Sequence, residues 1–151
     1  MDDRALLGDV PLGKLNGAKI LVVDDEEEIR TFLLTLFEDE GAMVFEATDG
    51  LEALEVAERK NPNLITLDLS MPGKDGIDTF CDLRQNPATE EIPVCIITGH
   101  PEFRKVIYDR PVSPPEGFID KPCQPDHVVA TARRILGLRR RKQSRAGDGT
   151  Q

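Results

Sequence analysis

Asp24 and Asp25 follow the apolar run Lys19–Val23 (KILVV), and Asp68 follows Leu64–Leu67 (LITL), in a chain of 151 residues. Carboxylates at the exits of short apolar strands collect at one edge when those strands lie side by side, and open α/β sheets bind their ligands beyond the strands' carboxyl ends. Two unit charges about 4 Å apart repel by roughly 4 kcal/mol at an effective dielectric near 20. Three such groups therefore call for a cation or a shared proton between them. The chemistry this spacing suggests is a divalent cation held by oxygen ligands, with one carboxylate positioned to attack phosphorus.

Two more polar residues leave strands of their own: Thr98 follows Ile92–Ile97, and Lys121 follows Gly117–Asp120. An ammonium and a hydroxyl suit the other oxygens of a phosphoryl group. Taken singly, each residue has a plainer role: Asp25 as a helix cap, Asp68 as a turn former, Thr98 as a strand-end hydroxyl, Lys121 as a surface charge. Their occurrence together at corresponding strand exits is the signal.

The elements that must position them alternate from Ala18 onward between short apolar runs and segments of helical period, which predicts βαβ units and a parallel sheet. Ile29, Phe32, Leu33, Leu36 and Phe37 recur at helical spacing, and Gly41 ends that helix. Met43–Ala47 reads as a second strand. Leu51, Leu54 and Ala57 mark a second helix that stops near Asn61-Pro62, since proline disfavours helical geometry in its predecessor. A turn-rich loop from Ser70 to Gly76 leads to a third helix bearing Ile77, Phe80 and Cys81. A fourth has room only between Pro101 and Asp109, because the stretch Pro111–Pro115 cannot continue it. Pro125 opens a last helix that Gly137 is expected to cap.

The hydrophobic fraction of 39% and charged fraction of 31% describe one soluble globular domain, and no apolar run is long enough to span a bilayer. The start, Met1-Asp2-Asp3, does not read as a secretory signal, so a cytoplasmic location is expected. Cys81, Cys95 and Cys123 are an odd number without Cys-x-x-Cys spacing, which argues against disulfides and a structural zinc site. The formal charge is −9, but residues 138–151 carry five basic residues against Asp148, leaving about −13 on the rest. Such an acidic body disfavours nucleic acid.

LVVDDEE, LITLDLSMPGKDG, IITG and FIDKP, in this order, resemble the four signature stretches of the receiver domains of two-component response regulators, over about residues 18–138. The resemblance implies a flavodoxin-like (βα)5 fold, a doubly wound five-stranded parallel sheet of order 2-1-3-4-5 in a single domain. It implies that Asp68 is the phosphoacceptor and that Mg2+ is bound by Asp25, Asp68 and the Ser70 carbonyl, with Asp24 acting partly through water. Thr98 and Lys121 would contact the phosphoryl group, Thr98 and Phe118 would form the switch, and Lys121-Pro122 would be a cis peptide. The phosphoryl donor would be a histidine kinase or a histidine phosphotransfer protein, with catalysis confined to the domain's own phosphorylation and dephosphorylation. The downstream protein target stays unnamed, and a homodimer is compatible with the pattern.

Residues 1–17 are then an N-terminal extension and 139–151 a basic flexible tail, and the chain is either a stand-alone receiver or a fragment of a longer regulator. His100, two residues after Thr98, is expected to be an exposed loop residue. Two rivals stay open. One is a receiver-like protein-binding module that signals without phosphate. The other is a phosphatase of the haloacid-dehalogenase type, in which the Asp nucleophile precedes the acidic pair; here the pair comes first.

Overall fold

A computed structural model describes residues 14–71 and 75–149, the last twelve of these by their backbone alone. The expected extension up to Gly13, Pro72, Gly73 and Lys74 of the turn-rich loop, and residues 150–151 lie outside the described residues.

Five strands, β1 (Lys19–Val23), β2 (Met43–Ala47), β3 (Leu64–Leu67), β4 (Val94–Thr98) and β5 (Gly117–Asp120), pair in parallel in the order β2-β1-β3-β4-β5. Helices α1 (Glu27–Asp39), α2 (Gly50–Lys60), α3 (Gly76–Gln85), α4 (Phe103–Tyr108) and α5 (Pro125–Gly149) connect or follow them. This is the expected flavodoxin-like sheet. Its order reverses between β1 and β3, the two strands that end at the acidic residues.

The pleat divides the core into two layers, because successive side chains of a strand point to opposite faces. Leu21, Val23, Ile65, Leu67 and Ile96 meet Ala53, Val56 and Ala57 of α2, Phe80 and Leu83 of α3, and Ile107 of α4. On the other face Ile20, Val22, Leu64, Ile97 and Ile119 meet Leu33 and Phe37 of α1 and Val128, Ala132 and Ile135 of α5. Phe37 and Phe80 are wholly buried, and each contributes about 1.5–3 kcal/mol through removal from water.

Local signals explain most boundaries. Asp49 and Asp75 cap α2 and α3 by accepting the backbone N–H groups of Glu52 and Asp78. Gly41 turns the chain after α1 at φ +93, and Asn61 ends α2 in the left-handed region. Lys121-Pro122 is cis, as expected.

Two boundaries differ from expectation. The fourth strand starts at Val94 rather than Ile92 and includes Thr98, since Pro93 has no N–H to give a ladder. Gly137 does not cap α5, whose helical backbone runs on to Gly149. A Cβ at Gly137 would meet nothing within 4 Å, and the Leu-Arg-Arg-Arg-Lys-Gln run after it consists of good helix formers, so one glycine does not stop the helix. Ahead of Ala18 the expected extension docks on the fold at one residue. Leu15 is 2% exposed in the α1/α5 layer, and its N–H donates to the Glu40 carbonyl at 2.9 Å.

The Pro-rich approach to β5 leaves α4 only six residues, as anticipated. What holds this approach is a residue that sequence reasoning passed over. The guanidinium of Arg84, whose side chain is 3% exposed, donates to the carbonyls of Ser113, Ile92 and Pro114 and to Glu116 Oε1 at 2.7–3.0 Å. Glu116 Oε1 also accepts the Val94 N–H. A single buried arginine thus ties the end of α3 to the segment that delivers β5.

Candidate functional site

The site lies at the carboxyl edge of the sheet, where β1, β3, β4 and β5 end. Asp24 leaves β1 with its side chain 1% exposed: Oδ1 accepts the Glu26 N–H at 2.9 Å, and Oδ2 accepts from Lys121 Nζ at 2.9 Å. Arg30, one turn into α1, donates Nη1 to the Asp24 carbonyl and so pins the exit from β1. Asp68 leaves β3 almost equally buried, with Oδ1 accepting the Ser70 N–H at 3.3 Å and Oδ2 lying 3.7 Å from Lys121 Nζ. Asp25 is exposed beside them.

One carboxylate oxygen from each of Asp24, Asp25 and Asp68 falls within 4.8 Å of the others. At that separation each charged pair costs roughly 3 kcal/mol at an effective dielectric near 20. Burial pushes the Asp68 carboxyl up to about 6 despite the attraction of Lys121, with the charges of Asp24 and Asp25 adding to the rise. Burial likewise raises Asp24 above the ordinary carboxylate range, against the pull of the Glu26 N–H and of Lys121. Burial alone would depress the Lys121 ammonium, but hydrogen bonds to Glu26 and Asp24 outweigh it and raise Lys121 overall. The site therefore concentrates negative charge without matching it, and a divalent cation with oxygen ligands fits this donor set.

Gly76 sets how closely the Asp68 loop approaches the start of α3. A Cβ there would stand 2.3 Å from the Asp68 carbonyl oxygen and 2.3 Å from Leu69 Cα, and the Gly76 N–H donates to the Leu69 carbonyl at 3.0 Å. Only glycine allows that approach.

Thr98 ends β4 fully buried, and its hydroxyl oxygen accepts the His100 N–H at 3.2 Å. The Lys121 N–H donates to the Thr98 carbonyl at 2.8 Å, which fixes the end of β5 against the end of β4. An open groove above is lined by Asp25, Glu26, Asp68, Ser70, His100 and Lys121, among others. Asp24 and Thr98 sit beneath it rather than on its lining. His100 is exposed, as expected, with Nδ1 3.1 Å from Glu102 Oε2 and its ring against Phe103. Phe118, on β5, is half-buried, and the Arg104 guanidinium lies 5.2 Å from its ring centroid.

Glu26 is the site residue that sequence reasoning did not single out: its Oε1 lies 2.9 Å from Lys121 Nζ. The acidic run Asp24-Asp25-Glu26-Glu27 was the available signal, but nothing in it says which carboxylate reaches a lysine 95 residues away. Burial raises the Cys95 thiol to about 12, consistent with a packing role. Among the described residues no helix is long and apolar enough to cross a membrane.

Comparison with known proteins identifies the family and the fold. The profile described as "Response regulator receiver domain" matches residues 20–133. Sporulation initiation phosphotransferase F of Bacillus subtilis is 33% identical over 121 residues, a match covering 80% of this chain and 95% of that protein. The alkaline phosphatase synthesis transcriptional regulatory protein PhoP of the same organism is 40% identical over 119 residues, covering 78% of this chain but 48% of PhoP. This chain thus spans nearly all of the first relative and about half of the second. The solved structure of Vibrio cholerae chemotaxis protein CheY4 superimposes with a TM-score of 0.70 at 28% identity, covering 78% of this chain and 98% of that one.

Proposed function

The chain belongs to the response regulator receiver family, and from that premise we propose that Asp68 accepts a phosphoryl group from the phosphohistidine of a histidine kinase or a histidine phosphotransfer protein. A carboxylate oxygen of Asp68 forms the new bond to phosphorus while the P–N bond to the donor imidazole breaks, its electron pair leaving on the imidazole nitrogen. Asp24, Asp25, Asp68 and the Ser70 carbonyl would hold Mg2+, which when bound neutralises charge on the phosphoryl oxygens. Lys121 offers its ammonium to a second phosphoryl oxygen and Thr98 its hydroxyl to a third. Catalysis is confined to the domain's own phosphorylation and dephosphorylation.

The observation that carries this reading is the convergence of three carboxylates within 4.8 Å, with Lys121 3.7 Å from Asp68. The nearly full-length match to a relative named a phosphotransferase supports phosphoryl relay in particular. In the switch, Thr98 moves toward the new phosphoryl group and Phe118 turns into the space it leaves, giving up the Arg104 contact. Output follows as a shift between two populations of surface.

The test is incubation with acetyl phosphate and Mg2+ followed by intact-mass measurement. Wild type should gain one phosphate, and Asp68→Asn none. Retained labelling in Asp68→Asn would move the acceptor elsewhere. An unchanged mass in a folded, Mg2+-binding wild type would favour the phosphate-independent binding module instead.

A further inference from the structure

Lys121 is already engaged in the resting site, and not chiefly by Asp68. Its ammonium contacts Asp24 Oδ2 and Glu26 Oε1 at 2.9 Å each, while Asp68 Oδ2 stands off at 3.7 Å, beyond hydrogen-bonding distance. Two of its three donors are therefore committed on the Asp24 side of the groove. These two partners differ in their freedom to leave. Asp24 is 1% exposed and held by the Glu26 N–H, whereas the Glu26 side chain is 60% exposed. The Glu26 backbone caps α1, but its side chain makes no capping hydrogen bond. The described contact of its carboxylate is the one with Lys121.

We propose that Glu26 is a latch on Lys121, a positioning residue that holds the ammonium away from Asp68 in the resting domain and swings into solvent when a phosphoryl oxygen arrives. The inference rests on the phosphoacceptor reading above. A phosphoryl oxygen carries more charge than a carboxylate oxygen and makes the stronger charge-assisted hydrogen bond. The exposed Glu26 carboxylate loses little on release, because an ion pair with one solvent-exposed partner contributes weakly. Until release, Glu26 both occupies a donor and adds a negative charge to the lining that an anionic phosphodonor must approach.

The full chain as wild type, Glu26→Gln and Glu26→Asp tests this with two readouts. Trace acetylation by acetic anhydride without any phosphodonor, mapped by peptide mass, reports how available the Lys121 amine is, with Lys19 and Lys60 in the same sample as references. Lys121 in Glu26→Gln should label about two- to fivefold faster than in wild type, the range an ion pair of this exposure carries. Glu26→Asp keeps the charge but is one methylene shorter, so Lys121 should label in it as fast as in Glu26→Gln.

The second readout is the initial rate of phosphorylation against acetyl phosphate concentration at saturating Mg2+. Both variants should lower KM, Glu26→Gln the more because it also removes the charge from the lining. Equal labelling of Lys121 in all three proteins overturns the latch. So does slower phosphorylation with weakened Mg2+ binding in Glu26→Gln, which would make Glu26 a metal-side carboxylate. Faster Lys121 labelling in proteins that take up no phosphate upholds the contact and counts against the phosphoacceptor reading alone.

Discussion

Replacing Asp68 by Asn should stabilise the metal-free domain. A carboxyl raised from its ordinary value of 3.8 to about 6 is poorly accommodated when charged. At about 1.4 kcal/mol per pH unit, ionising it in the folded protein costs about 3 kcal/mol above pH 6. The sign follows from proton counting. Between pH 3.8 and 6 the folded state holds this proton and the unfolded state has lost it, so stability falls as pH rises through that window and the full penalty is present above it. Asn removes the charge at similar volume, and the value of about 6 already includes the attraction of Lys121 at 3.7 Å. The expected gain is therefore about 3 kcal/mol at pH 7.5 in EDTA, read from urea unfolding. The gain should shrink at pH 5, where wild-type Asp68 is largely protonated. It should also shrink in millimolar Mg2+, because ion binding to the folded wild type adds stability that Asn cannot recruit. An Asp68→Asn protein that is less stable than wild type in EDTA at pH 7.5 would refute the reasoning. A gain indifferent to both pH and Mg2+ would refute it as well.

Gly76→Ala should lower stability by at least about 2 kcal/mol, since its Cβ would stand 2.3 Å from backbone atoms of the Asp68 loop. Acetyl phosphate labelling should slow with it, measured on the fraction that stays folded. Arg84→Met should cost about 2–4 kcal/mol by removing the donor to three carbonyls and the cation beside Glu116, and should lower the thermal midpoint by about 4–15 °C in calorimetry. A shift of under 2 °C would show that the Pro111–Pro115 segment holds its course without the arginine. Arg104→Ala should free one face of Phe118 and shift its ring resonances in NMR spectra without moving the thermal midpoint by more than about 2 °C.

Strands, helices and the edge at which chemistry would occur were legible because they depend on neighbours within a turn or two. β2, β3 and β5 fall at the residues expected from apolar runs and their breakers. Asn61, Gly41 and Pro125 end or open helices through their own backbone preferences. Asp24, Asp25, Asp68, Thr98 and Lys121 could be placed together because a parallel sheet puts every strand exit on one edge. Where expectation and structure part, a distant or competing interaction decides. Gly137 by its type alone predicts a stop, yet the helix formers on either side carry α5 through it. Leu15 lies in the extension before Ala18, and what docks it, Glu40 and the α1/α5 layer, is distant in the sequence.

What the chain's linear order determines, then, is which residues stand at the exits of strands and so which chemistry the edge can perform. What only the tertiary structure decides is the pairing within that edge. Lys121 has three carboxylates in reach and bonds Asp24 and Glu26 more closely than Asp68. Arg84 finds four acceptors up to 32 residues away. Hydrogen bonds and ion pairs act over a few ångströms, a scale that strand order and periodicity do not specify and that packing of the whole sheet does.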